Sequence, residues 1–580
     1  MSWAESVYTI NQVNDANKML TINSRPPAYL TITWDGTNKI ATLHIGVAKN
    51  VYLETYSGKT TLHTEADRLL VAKTVKFEIW RSNDSEITEY GQGTKIAVIN
   101  KTSVGASTSY DDDLSEATGI NMFYYAVFAV SETGHINVSE FVTCSFDLTN
   151  PMDTGFAVYG FIHNFEDGNP ESNITYPQTF TDPDIDGLIY SFINYGYDPM
   201  NNVDYKDMDP GDWLYFLKNV LKNEPYMVKA SDRTADYKLS DVDYMERADD
   251  SGLPSDAANS GYLGGAFSWI AKIYSKEVYG GNGAYRVCMY SDDPKALDYG
   301  FEPLGFLNPS NQELEGVWLP IGYTGSSGKN YIGLTGAVGQ TTDAQNSMIK
   351  TLTSEAKFLG GPILRLLRDL EYMLFKSTDI QKHAGYGRCN AYSAESTYAI
   401  ANQDIKGTGY TKNGVTTTDR SGTGFQGCTN SSNKRVPGKM FHSQVLGSYN
   451  YWIRDPYTIN NAGILKVSKN YAYDLTGGSY INTGLSYTVN SWYYPKYMVK
   501  TAAGSEPKNN DNSGSTITGL CDGLRSSSSG VRVGLRLGYA DTDLLDGPAT
   551  LNLSGEASAS HAAFGCATLL LPDPGYTPQA

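Results

Sequence analysis

Apolar residues recur at helical spacing at the start of the chain. Trp3, Val7, Ile10 and Val13 share one face of a short helix expected over residues 1–17. A lone helix of ~15 residues is marginal in water, so the stripe needs a partner, either the next domain or another subunit or assembly. From about Pro26 the period changes to two. Residues 29–34 and 39–45 read as strands on either side of Asp35-Gly36, a hairpin signal. Residues 76–81 and 123–130 alternate in the same way, and the gaps hold Gly, Ser, Asn and Asp. Repeated short strands of this kind predict a β-sandwich over 22–150, behind a docking helix at 1–21.

Residues 150–155, Asn-Pro-Met-Asp-Thr-Gly, form a turn-rich joint, and beyond it helical and strand patterns mix over 151–580. Asp209-Pro210-Gly211-Asp212 supplies an N-cap, a first-turn proline and first-turn acid for a helix whose apolar face is Trp213, Phe216, Leu217, Val220 and Leu221. Ile363, Leu366, Leu367, Leu370, Met373 and Leu374 keep helical spacing after Gly360-Gly361-Pro362, predicting a second core helix to Phe375. The last ~200 residues read as strands separated by long polar segments. Two of these, 422–434 and 501–515, have the Gly, Ser, Asn and Thr content of exposed loops. The expected class is therefore mainly β with an α+β portion.

Composition narrows the function. The chain has 57 glycines and 43 tyrosines in 580 residues, and a net charge of 45 − 63 = −18. The acidic balance disfavours nucleic acid and anionic membrane surfaces as partners. No run reaches the ~18 apolar residues of a membrane span, and the first 17 residues lack a secretory h-region. Six scattered cysteines without a CxxC pair argue against zinc and against a dense disulfide framework; free buried thiols or a 521–566 bridge remain open. The seven histidines have no short-spaced partners. No nucleophile elbow or phosphate-binding loop is present. Residues 422–427 do spell GxGxxG, but without the strand-before, helix-after context of a dinucleotide site. Aspartates at 111–113, at 182, 184 and 186, and at 204, 207, 209 and 212 could offer oxygens to calcium, though none has a full calcium-loop spacing. No catalytic residue, metal or cofactor is expected.

The alternating strands around Ile79-Trp80-Arg81-Ser82, the Tyr110-Asp111 step and residues 124–130 followed by Ser131-Glu132-Thr133-Gly134 resemble a fibronectin type III module, which implies a spacer or docking role. Residues 522–570 carry a stronger resemblance. Gly538, a polar loop, Gly547, Leu551-Asn552-Leu553, a second polar loop and Gly565 resemble the C-terminal segment of C-type-lectin-like phage receptor-binding proteins. That family includes the major tropism determinant and the variable proteins of diversity-generating retroelements. The likeness is loose over about 155–520 and tightest over 520–572. It departs at Cys566-Ala567, where the family has an aromatic residue and arginine.

The resemblance implies a virion structural protein made in the host cytoplasm, a tail fibre or tail tip protein that adheres to a host glycan or protein. Partner virion proteins would dock on the N-terminal region of a homo-oligomer, most plausibly a trimer. An architectural decoration protein and a glycan depolymerase are the competing expectations. The tyrosine excess favours adhesion over decoration, because Tyr and Trp give stiff contact area at low entropic cost. The expected binding residues are Tyr539, Asp541, Asp543 and Asp546 on one loop, Ser558, Ser560 and His561 on the next, and Trp492, Tyr493 and Tyr494 beside them.

Overall fold

A computed structural model describes most of the chain from Leu30 onward; residues 1–29, 101–107, 195–215, 385–410 and 540–544, with several other short stretches, lie outside the described residues. The expected N-terminal helix therefore falls outside them, as does the start of the helix expected at 209. The chain is mainly β. It divides into two compact units, one using the chain through Tyr159 and again residues 178–194, the other residues 160–177 and the described residues from 216 onward. The first unit thus runs past the expected joint at 150. Thr179–Thr181 and Ile189–Ser191 return to it as a two-stranded ribbon.

Among the described residues the first unit carries a three-stranded and a four-stranded antiparallel sheet besides two-stranded pairs. Strands β1 (Leu30–Asp35), β2 (Ile40–Ile45), β3 (Thr74–Ser82), β4 (Thr94–Asn100), β5 (Thr108–Asp113), β6 (Met122–Ser131) and β7 (Val142–Asp147) arrange as β1-β2-β5 and β4-β3-β6-β7. The β1–β2 hairpin pairs Asp35 with Ile40 around the Asp35-Gly36 signal. Ala41, Leu43 and Ile45 of one sheet and Phe77, Ile79, Phe123, Tyr125 and Val127 of the other bury in one core. Period-two patterning puts these residues inward by construction. Asp112 is buried and takes Arg81 at 2.7 Å and the Tyr125 hydroxyl at 2.8 Å, so this acidic run is an anchor between strands.

The second unit has a six-stranded and a seven-stranded sheet. In the larger, β8 (Trp452–Asn461) pairs with β9 (Val531–Leu537), which pairs with β10 (Gly547–Glu556), all antiparallel. Helix α1 (Thr342–Ile349) is capped by the Thr341 hydroxyl, which accepts from the Ala344 N–H. Helix α2 (Gly361–Phe375) starts with proline in its first turn, as expected, and every residue of it is buried. A helix buried on all sides has no solvent face for its charges, so Arg365, Arg368, Asp369 and Glu371 must find partners inside. The apolar run after residue 215 makes only one π-type turn, Phe216–Val220.

The segment expected as an exposed loop at 501–515 is partly core. Met498–Thr501 and Gly504–Pro507 form a hairpin whose second strand is entirely buried, Glu506 included. Its polar composition misled because its partners are the arginines of α2 and β9. Of the segment expected as a loop at 422–434, Phe425–Cys428 is a strand paired with Val415–Arg420. Cys521 and Cys566 are both free thiols, so the 521–566 bridge is absent.

Candidate functional site

Leu551 and Leu553 of β10 are fully buried in one cluster with Tyr493, Leu524 and Val467, and they pin the strand. Gly538 and Gly547 bracket the loop between β9 and β10, with φ of +95° and +155°. A Cβ on Gly538 would lie 1.6 Å from Asp546 Oδ1, and one on Gly547 would lie 1.9 Å from Asp522 Oδ1. Glycine is required at both stems for conformation and for space. Asp546 Oδ1 accepts the Tyr539 N–H at 3.2 Å, and Asp522 Oδ2 accepts the Ala549 N–H at 2.7 Å.

These contacts correct two of the expected binding residues. Asp546 is fully buried and holds the loop stem instead of facing a ligand. Tyr493 is also buried, packed in the β10 core with its hydroxyl on Asn509 Oδ1 at 2.7 Å. Alternation along 492–494 turns the middle residue inward and leaves Trp492 and Tyr494 half-buried. Asp541 and Asp543 lie outside the described residues. Ser558, Ser560 and His561 are exposed, and Tyr539 is half-buried.

The residues that come together form an aromatic edge. Trp452, at the start of β8, stacks on Trp492 with ring centroids 5.8 Å apart and planes 12° from parallel. Trp452, Leu535 and Ala563 are buried beneath, and Trp492, Tyr539 and Phe564 pack on them half-exposed. His561 lies 5.3 Å from Phe564, ring to ring, at the outer end. Its Nδ1 accepts the Ala563 N–H at 3.1 Å, which leaves Nε2 as the outward nitrogen. Trp452 and Phe564 were missed as site residues; the Tyr-Trp pair at 451–452 was their only signal.

The loop bearing Ser558, Ser560 and His561 is held from behind through its carbonyls. The Thr342 N–H and hydroxyl donate to Ala557 O at 3.0 and 2.9 Å, and Gly339 N–H donates to His561 O at 3.0 Å. Gln345 Nε2 donates to Phe564 O at 3.1 Å, Trp452 N–H to Ala563 O at 2.9 Å, and Arg454 Nη2 to Ala559 O. Arg454 also donates to Thr342 Oγ1 at 2.9 Å and Gln340 O at 2.8 Å, and its guanidinium lies 5.0 Å from the Phe564 ring centre. Burial lowers the Arg454 pKa to about 10, against smaller opposing effects of Cys566 and Tyr473. The backbone is fixed while the side chains face out, which is what a preorganised contact surface requires.

No family model matches this chain, and no curated protein matches it in sequence.

The second unit also holds a buried ion network. Glu506 takes Arg365 Nε at 2.6 Å and Arg536 Nη2 at 2.5 Å, while Arg536 Nε reaches Asp455 Oδ2 at 2.7 Å. Asp369 takes Arg286 at 2.7 Å and Arg368 at 2.9 Å. Burial raises the Glu506 carboxyl, but Arg536 and then Arg365 outweigh it and hold it at about 2. Glu277, Cys288 and Asp369 could approach one metal ion together. Both Asp369 oxygens already accept from arginines, however, so the trio belongs to the ion network.

Proposed function

We propose that this chain is a structural protein of a phage particle that adheres to the host cell surface through the aromatic edge of its second unit. One observation carries the reading: Trp492, Tyr539, Phe564 and His561 sit half-exposed or exposed on a loop and strand ends whose backbone is clamped by buried donors. Rigid aromatic area beside small hydroxyls is the composition that binding surfaces favour. In the same proposal the sandwich unit is a spacer, and the region before it docks on other virion proteins in a homo-oligomer, as a trimer.

The test is cell binding by the purified full-length chain, with Tyr539→Ala/His561→Ala as the variant. Both positions lie at the edge, so thermal stability should change little, whereas binding should fall at least tenfold, ~1.4 kcal/mol. Equal binding by variant and wild type, at equal stability, removes the edge from the binding surface.

A further inference from the structure

Five arginine side chains of the second unit are fully buried: Arg286, Arg365, Arg368, Arg454 and Arg536. Four of them are ion-paired, Arg286 and Arg368 on Asp369, Arg365 and Arg536 on Glu506. Arg454 is the exception. Among the described residues no carboxylate lies within 4.0 Å of it. Its guanidinium donates only to neutral oxygens, those of Thr342, Gln340 and Ala559, and its Nε–H is buried without an acceptor. Thr342, which accepts from Arg454, is followed by Asp343, and that carboxylate accepts the Tyr473 hydroxyl at 2.7 Å.

A buried charge without a counter-ion is expensive, and its field is weakly screened where water is excluded. That field emerges at the aromatic edge, because Arg454 lies beneath Phe564 and His561 flanks the same ring at the surface. Local potential, not net charge, decides what a cleft attracts, so the −18 of the whole chain does not oppose this. The outward His561 Nε2 and the exposed hydroxyls of Ser558 and Ser560 add hydrogen-bonding groups beside it. Trp492 supplies an aromatic face on the same edge.

We infer that the ligand of this edge is a saccharide bearing an anionic group, a carboxylate or a phosphate, which settles at His561 over the unpaired Arg454. This rests on the adhesive reading above and names its ligand class. The anion supplies the counter-charge that the protein lacks at this position. The aromatic face and hydroxyls take the sugar ring.

Calorimetric titration of the full-length chain with three probes tests it: a uronic-acid oligosaccharide, a glycerol phosphate oligomer and a glucose oligomer. One or both anionic probes should bind at least tenfold tighter than glucose, and more weakly at 200 than at 50 mM salt; which of the two binds identifies the source of the anion. Arg454→Lys should keep the anion preference and Arg454→Met should abolish it. Should Arg454→Met fail to fold, His561→Ala, at an exposed position, should still cut anionic binding at least threefold. Equal affinity for glucose and the anionic probes overturns the inference. If cells are bound but none of the three probes is, the inference fails while the adhesive reading stands, a protein receptor being then the alternative. If cells are not bound either, both fail.

Discussion

The cores of the two units are built on different principles. In the sandwich, Phe77, Ile79, Phe123 and Val127 face Ala41, Leu43 and Ile45, and the buried carboxylates Asp112 and Glu78 are answered by Arg81 and Tyr125 and by Lys95 and Tyr90. In the second unit, helix α2 is buried all round yet carries four charged residues, and the strand facing it carries Glu506. Apolar packing tolerates conservative exchange, because a methyl group lost leaves only a small cavity. A buried ion network does not, because removing one member strands its partners. The second unit should therefore be the more brittle under single substitutions.

Glu506→Gln gives the largest expected effect. It removes the charge shared by Arg365 and Arg536, and the loss should be about 3–5 kcal/mol by denaturant unfolding of the second unit. Ile79→Leu in the sandwich should cost less than about 1.5 kcal/mol, as a volume-conserving apolar exchange in the same core. If the two losses are equal, the contrast between the cores is wrong.

A finer test sets two carboxyls of the same core against each other by pH. Glu506 is held down at about 2, whereas Glu371 is pushed well above the ordinary range by burial, which Arg368 only partly opposes. An unfolded Glu titrates near roughly 4.3. The Glu506 contribution is therefore complete above that value and is lost as pH falls toward 2. For Glu371 the native state holds the extra proton, so stability falls as pH rises above about 4.3, until the native carboxyl itself ionises. Glu371→Gln should flatten the decline between pH 4 and 8, and Glu506→Gln should flatten the acid limb. A Glu371→Gln profile parallel to the wild-type profile between pH 4 and 8 would contradict the assignment for Glu371.

The same contrast explains what could be read from the sequence. Strands β1, β2, β3 and β6 and helix α2 were legible because their apolar residues keep a period of two or of 3.6. The buried hairpin at 498–507 was not, because Gly-Ser-Glu-Pro carries a surface composition and its burial depends on arginines 30 and 141 residues away. Local pattern holds no record of such partners. Within the candidate site, the bracketing glycines and the exposed 558–561 segment were legible from the turn and polar signals. Asp546 was misjudged because a carboxylate that caps a loop stem looks, in sequence, like one that offers itself to a ligand. Trp452 and Phe564 come together only in the fold, through the parallel pairing of Trp452-Ile453 with Phe564-Gly565, which local pattern does not record.

The smallest expected effects lie on the clamped loop, where they separate its scaffold from its face. Ser558→Ala/Ser560→Ala removes two exposed hydroxyls and leaves the backbone contacts of 557–564 in place, since its carbonyls accept from Thr342, Gly339, Gln345, Arg454 and Trp452. Its stability should stay within about 0.5 kcal/mol per site of wild type. Gln345→Ala acts from behind: it deletes a buried donor to Ala337 O and Phe564 O, and leaving buried acceptors unsatisfied should cost about 1–3 kcal/mol. Amide exchange at Ala563 and Phe564, whose N–H groups donate to His561 Nδ1 and His561 O, reads the loop directly. Exchange should quicken in Gln345→Ala and stay at the wild-type rate in the serine pair. Faster exchange in the serine variant would mean that the hydroxyls themselves hold the loop, and that its rigidity and its binding surface are not separable.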